Sequence, residues 1–151
     1  MMYYVVALCM GLSIALQAPI NAALGRSLQT SPLVAALISF FIGTVCLLLI
    51  AFYSGALNLG IFQALGTQNW WKFLGGVLGA FFVFGTTLLA PQIGLLNMFL
   101  LVLFGQLITS LLLDSIGAFG LEPKPILWNK IIGLGIILVG LFVFFYREIR
   151  G

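Results

Sequence analysis

The chain has few charged residues and no histidine. Asp, Glu, Lys and Arg make up only 6% of its 151 residues. A soluble domain carries about 25% charged residues, so a fold surrounded by water is excluded. Six Lys plus Arg against three Asp plus Glu give a net charge of +3. These charges are spread along the chain rather than gathered in a basic patch, so nucleic acid is not an expected partner.

Groupings of residues that bind metals or perform catalysis are also scarce. Cys9 and Cys46 each lie in an apolar run, far from any metal-ligand spacing, and we interpret both as inert apolar residues. The apolar runs hold neither paired carboxylates nor a serine beside a plausible base. We therefore expect no enzymatic activity, no metal and no cofactor.

Apolar residues dominate what is present. Hydrophobic residues make up 63% of the chain and its mean hydropathy is +1.27. Because a helix needs roughly 20 apolar residues to cross a bilayer, the uncharged runs predict an all-α integral membrane protein, a single transmembrane domain over residues 1–151 that contacts the lipid bilayer directly. Cutting these runs at turn-forming residues predicts five spans, at about residues 3–24, 33–53, 70–90, 93–113 and 128–146.

Two segments between the apolar runs affect the predicted number of spans. Pro91-Gln92 interrupts a long apolar stretch and predicts the turn between the third and fourth spans. Residues 54–69 mix apolar side chains with Asn, Gln and Gly, which indicates a segment lying at the membrane interface. If that segment crossed the membrane, there would be six spans instead of five.

The basic residues are balanced across the predicted membrane. Five spans put the two termini on opposite sides, so the loops can be assigned to sides. Each side then receives three basic residues, namely Lys72, Lys124 and Lys130 on the N-terminal side and Arg26, Arg147 and Arg150 on the other. This balance gives the positive-inside rule no preferred orientation. It favours insertion both ways and an antiparallel homodimer of about ten helices, equivalent to an inverted repeat; the alternatives are a paralogous partner or one fixed orientation.

Polar residues within the first and fourth spans recur at helical spacing. Cys9, Ser13, Gln17 and Asn21 follow one another four residues apart and so share a helix face. On the fourth span, Gln106, either Thr109 or Ser110, and Asp114 share a face in the same way. One interpretation is hydrogen bonding between helices, worth roughly 1 kcal/mol for each bond. The other is a cavity that binds a small-molecule substrate, lined by Ser13, Gln17, Asn21, Gln106 and Ser110.

Asp114, two prolines and several glycines have further candidate roles. Asp114 adjoins an apolar span, where it either couples transport to protons or remains solvated at the interface. Pro19 and Pro91 are candidate helix bends. Small residues at regular spacing predict close helix packing at four glycines, Gly75, Gly79, Gly133 and Gly140.

Several of these stretches, in order and spacing, resemble the short, five-helix YdcZ-type branch of the drug/metabolite transporter superfamily. They are Leu16-Gln17-Ala18-Pro19-Ile20-Asn21, Ala35-Ala36-Leu37-Ile38-Ser39-Phe40, Trp70 to Gly79, and Gly105-Gln106-Leu107-Ile108-Thr109-Ser110 through Asp114. The resemblance covers nearly the whole chain. The family's recurring polar positions match Gln17, Asn21, Gln106 and Asp114.

The resemblance implies a function as well as a fold. It implies half of a ten-helix inverted-repeat transporter in the inner membrane, a secondary carrier that exports small metabolites or toxic compounds by alternating access. The first span lacks the membrane glutamate of small multidrug-resistance relatives, so a neutral or weakly polar substrate, or a facilitated mechanism, is expected. The alternative function is a non-transporting structural or assembly subunit of a membrane complex, for which packing faces would suffice.

Overall fold

A computed structural model describes residues 2–147, and helices are its regular secondary structure over that range. Arg150, one of the basic residues in the charge balance, lies outside the described residues. The α-helices are α1 (Met2–Ser27), α2 (Pro32–Tyr53), α3 (Leu59–Leu65), α4 (Leu74–Ile93), α5 (Leu95–Ile116) and α6 (Trp128–Phe144). A 3-10 turn, Trp70–Phe73, leads directly into α4.

The predicted all-α membrane protein is confirmed, with four to five helices able to cross a bilayer. Within the described residues, α1, α2, α5 and the continuous segment Trp70–Ile93 are long and apolar enough to span. Helix α6 has 17 residues, about 26 Å at 1.5 Å per residue, which is at the short limit for a hydrocarbon core of about 30 Å. Helix α3 has only seven residues, too few for the sixth span considered above.

The predicted turn at Pro91-Gln92 is wrong by two to three residues. Pro91 lies inside α4, which continues to Ile93, and the chain breaks at Gly94 with φ +83° and ψ +150°. A proline near a helix end removes a single backbone hydrogen bond and can be accommodated there. A positive φ with an extended ψ is accessible almost only to glycine, so Gly94 determines where the helix ends.

The described residues fall into two compact units that divide after Leu95. In the first unit, α1, α2 and α4 pack against one another in all three pairings. The buried apolar residues there are mostly small: Ala18, Ala22, Ala35, Ala36, Val83 and Ala90. Small side chains allow helix backbones to approach closely within a membrane.

Gly25 marks one point of close approach between α1 and α2. A Cβ added to Gly25 would lie 3.4 Å from the Cβ of Ala35, which is completely buried. The turn between the helices is short, and Ser31 caps α2 by accepting a hydrogen bond from the Val34 N–H. The end of α1 therefore packs closely against the Ala35 side chain near the start of α2.

The second unit contains α5, α6 and the loop between them. Gly117 ends α5 with φ +61°, and a Cβ there would lie 2.7 Å from Cγ of Pro123. Further along this loop, the Lys124 N–H donates a hydrogen bond of 2.9 Å to the Asp114 carbonyl. The loop therefore folds back over the C-terminal end of α5 and delivers Lys124 to Asp114.

Candidate functional site

Asn21 is the polar residue of α1 that lies in the packed core of the first unit. Its exposure is only 4%, and its side-chain nitrogen has no hydrogen-bond partner among the described residues. A buried amide left unsatisfied costs about 1–3 kcal/mol. Such a group contributes little to the stability of the helix packing and is a good candidate for contact with a ligand or a partner.

The other two polar residues of the predicted face of α1 are more open than Asn21. Gln17 is half-buried, and Ser13 is uncovered by the rest of the chain. The Ser13 hydroxyl donates to the Cys9 carbonyl of its own helix at 2.9 Å, so it makes no bond between helices here. The face therefore runs from an open half near Ser13 to a buried half at Asn21.

Two buried polar residues of the first unit were missed by the sequence analysis. Thr86 and Thr87 of α4 are 7% and 1% exposed, and both hydroxyls donate to the Val83 carbonyl, at 3.1 and 2.7 Å. The O–H donor of each threonine is satisfied within α4, which lets a threonine enter an apolar core. The signal in the sequence was the small and hydroxyl run Gly85-Thr86-Thr87 inside a Phe- and Leu-rich helix.

Thr87 also lines a cleft of about 220 Å³ beside the turn between α1 and α2. Pro91 lies one turn further along α4 and has no N–H, so the Thr87 carbonyl lacks its usual partner in the helix. Both border the cleft with Ala22, Gly25, Arg26, Gln29, Thr30 and Pro32. The cleft thus combines the cation of Arg26 with hydroxyl, amide and carbonyl groups.

A second cavity, of about 330 Å³, lies in the second unit between residues of α5 and α6. It brings together three of the predicted residues, Ser110, Asp114 and Gly133, and adds Lys130. Its apolar walls are Leu107, Leu111, Leu134 and Ile137. Lys130 stands three, four and seven residues before Gly133, Leu134 and Ile137, the spacing of one helix face, and that pattern could have identified it.

Asp114 is paired at the rim of this cavity. The Nζ of Lys124 lies 3.8 Å from an Asp114 carboxylate oxygen, and the two side chains are 62% and 38% exposed. An exposed pair at that distance contributes about 0–1 kcal/mol. Asp114 is therefore held loosely and could exchange Lys124 for another cation.

The remaining predicted residues differ in how far the rest of the chain covers them. Gln106 is uncovered on α5. A Cβ at Gly79 would touch the Phe40 ring at 3.6 Å, whereas one at Gly75, Gly133 or Gly140 would meet no atom within 4 Å in the part of the chain that the structure describes. Pro19 lies inside a helix that continues past it. Over residues 2–147 no cluster of three His, Cys, Asp or Glu residues could hold a metal ion.

Comparison with known proteins places this architecture in a family. Residues 2–143 match the family described as "Putative inner membrane exporter, YdcZ". The chain is also 29% identical over 122 residues to "Inner membrane protein YdcZ" of Escherichia coli (strain K12), an alignment that covers 80% of each protein. No solved structure matches the chain. With its match over nearly the whole length and its apolar helices, this multi-pass inner-membrane protein belongs to the YdcZ family.

Proposed function

We propose that this chain is a subunit of a small secondary transporter that exports small metabolites or toxic compounds by alternating access. The observation that carries the proposal is the cavity of about 330 Å³ lined by Ser110, Asp114 and Lys130, in a family whose description names an exporter. Charged and polar groups at a cavity within membrane helices are costly to maintain and usually serve a solute. Ser13, Gln17, Asn21 and Gln106 are proposed to complete the substrate path.

The transporting unit is proposed to be an antiparallel homodimer of two oppositely inserted chains. The balance of basic residues supports it, since neither orientation is favoured by the positive-inside rule. The glycines Gly75 and Gly140 have open space beside them in the described part of a single chain, which suits a close approach by a second chain. A paralogous subunit would satisfy the same surfaces and is the alternative partner.

Transport by purified protein in liposomes tests the proposal. Gln17→Ala and Gln106→Ala should each slow uptake of a transported solute about tenfold, because each removes a hydrogen bond to a polar group that has left water. Gln63→Ala is the matched control, since Gln63 lies exposed on the short helix α3 and should transport like the parent. Equal rates for all four proteins, over a panel of solutes, would refute the site assignment.

Asp114 provides a test of energy coupling. If Asp114 carries protons, Asp114→Asn should abolish accumulation driven by a proton gradient and leave solute exchange intact. If it only binds solute or Lys124, both processes should change together. A non-transporting assembly subunit, the second candidate function, would show neither process and would co-purify with another membrane protein at fixed stoichiometry.

A further inference from the structure

The cavity between α5 and α6 carries one negative and one positive side chain, each from a different helix. Asp114 belongs to α5 and Lys130 to α6, and both line the cavity. Apolar side chains from both helices form the rest of its wall, Leu107, Leu111, Leu134 and Ile137. A site with two opposite charges and an apolar wall suits a solute that has the same three parts.

Both charges stand at the end of their helix where the helix dipole opposes them. Asp114 is in the last turn of α5, where unpaired carbonyls already make the helix end negative. Lys130 is in the first turn of α6, where unpaired N–H groups make the end positive, and α6 has no side-chain cap there. Each placement is unfavourable for the folded chain alone. It strengthens the attraction of an ammonium group to Asp114 and of a carboxylate to Lys130.

Asp114 and Lys130 also differ in whether they have an ion-pair partner. Asp114 has the loose partner Lys124, at 3.8 Å, on a loop anchored by its backbone N–H. Lys130 has no ion-pair partner among the described residues. The Lys124 ammonium therefore occupies the position beside Asp114 where a ligand's ammonium would bind. The position beside Lys130, where a ligand's anion would bind, has no ion-pair partner among the described residues.

We propose that this cavity binds a small zwitterion, a solute with a primary ammonium and a carboxylate a few bonds apart and an apolar side chain. The ammonium replaces Lys124 at Asp114, the carboxylate binds Lys130 with Ser110 nearby, and the side chain contacts the leucine wall. A cavity of about 330 Å³ is at the small end of ligand pockets, which span roughly 300–1,000 Å³. This inference rests on the proposed transport function and names its substrate class.

The same pair of charged groups also occurs in the ethanolamine headgroup of a lipid, as a primary ammonium beside a phosphate. The shared chemistry is an ammonium linked through a few bonds to an anion. We assign the site to a soluble solute because a cavity of about 330 Å³ is at the small end of ligand pockets and cannot enclose a whole phospholipid. The experiment below separates the two sources.

Binding of radiolabelled L-leucine to the full chain in phosphatidylglycerol nanodiscs tests the proposal without requiring transport. Leucinamide, which lacks the carboxylate, and 4-methylpentanoate, which lacks the ammonium, should each compete about tenfold more weakly than leucine, because each loses one charge-assisted hydrogen bond. Equal competition by all three compounds would overturn the proposal.

Three charge-removing variants should give different results. Asp114→Asn and Lys130→Gln should each weaken leucine binding about tenfold, whereas Lys124→Gln should tighten it up to about fivefold because the competing cation is gone. Lys72→Gln and Glu122→Gln, exposed residues outside the cavity, are the matched controls and should bind leucine like the parent. Weakening by Lys124→Gln and Lys130→Gln alike would indicate a general charge effect and overturn the site.

Binding of leucinamide and 4-methylpentanoate shows whether a variant that no longer binds leucine is still folded. Lys130→Gln should still bind leucinamide as well as the parent does, and Asp114→Asn should still bind 4-methylpentanoate. Loss of all three ligands in both variants, in protein that remains monodisperse, would contradict the assignment of one charge to each group. Saturable binding of phosphatidylethanolamine with no binding of leucine would overturn the soluble-solute assignment.

Failure of the proposed binding site and failure of the proposed transport function give different results. Charge-dependent leucine binding without transport of any solute would uphold the site and refute the transporter. Transport of other solutes that is insensitive to Asp114→Asn and Lys130→Gln would refute the site and uphold the transporter.

Discussion

At the scale of single residues, substituting Asn21 tests whether a polar side chain inside a membrane helix has a structural or a functional role. Its amide nitrogen is buried without a partner in the described chain, so truncation removes a desolvation cost of about 1–3 kcal/mol that offsets the lost packing. We expect Asn21→Ala to change the free energy of unfolding in detergent by less than about 1 kcal/mol while slowing transport in liposomes.

Thr87→Val is the control for Asn21→Ala, since it removes a hydroxyl that does have a partner. The bond from Thr87 to the Val83 carbonyl is 2.7 Å long, and its loss should lower the free energy of unfolding by about 1 kcal/mol. If Asn21→Ala instead lowers the free energy of unfolding by more than about 2 kcal/mol, Asn21 stabilises the packing between helices and the substrate role is wrong.

Gly117 should prove indispensable to the loop that brings Lys124 to Asp114. An alanine there would adopt φ +61° and place its Cβ 2.7 Å from Pro123 and 2.8 Å from the Leu121 carbonyl. The left-handed conformation costs about 1–2 kcal/mol, and overpacking adds about 1–3 kcal/mol. We expect Gly117→Ala to lower the melting temperature and to expose the loop to protease.

Gly120→Ala provides the matched comparison for Gly117→Ala. Gly120 has φ +86°, and a Cβ there would meet nothing within 4 Å in the described chain. It therefore bears the conformational cost without the clash, and its melting temperature should fall less. Equal losses from both variants would show that backbone conformation alone, and not the contact with Pro123, limits the loop.

The residues of the candidate site could be predicted from the sequence where their spacing carries the signal. The four-residue spacing on α1 identified Asn21, and that on α5 identified Ser110 and Asp114, because a helix places such residues on one face. Thr87 was missed because its hydroxyl donates to a carbonyl of its own helix, so no regular spacing of polar residues in the sequence marks it. Lys130 entered the sequence analysis only through the charge balance, since the cavity beside it is formed by residues of two different helices.

At the scale of helices, the close approach of α1 to α2 should be sensitive to side-chain volume at Gly25. A Cβ at Gly25 would already touch Ala35 at 3.4 Å, so the branched side chain of leucine cannot fit without separating the helices. We expect Gly25→Leu to lower the free energy of unfolding by about 1–3 kcal/mol, measured by denaturation in detergent.

Gly11→Leu is the control for this packing, because it lies on the same helix with nothing within 4 Å in the described residues. Leucine has a higher helix propensity than glycine, so Gly11→Leu should leave the helix bundle as stable as the parent or slightly more stable. Equal destabilisation by both substitutions would mean that the α1–α2 contact does not govern stability.

Helix identities were predictable, whereas one boundary was not. Uncharged runs of about 20 residues leave few alternatives to membrane helices, so each predicted span has its helix. The end of α4 was placed at Pro91 because proline is a strong breaker. Its position near the helix end made it tolerable, and the backbone conformation of Gly94 decided the boundary instead.

At the scale of the whole molecule, orientation depends on whether the 17-residue helix α6 crosses the membrane. If it crosses, Arg147 and Arg150 join Arg26, and each side holds three basic residues. If it does not, five basic residues lie on the N-terminal side against Arg26 alone, and the positive-inside rule fixes one orientation with both termini in the cytoplasm. The weakest span therefore decides between a dual-topology pair and a fixed chain.

Reporters fused to the C-terminus resolve this choice in cells. A crossing α6 predicts both periplasmic phosphatase activity and cytoplasmic fluorescence from otherwise identical fusions. One Lys inserted after Tyr146 should then raise fluorescence at the expense of phosphatase activity, and Gln68→Lys, on the other predicted side, should do the reverse, because a small charge bias sets orientation. Fluorescence alone, unmoved by either added lysine, would show a fixed chain and remove the basis for an antiparallel pair.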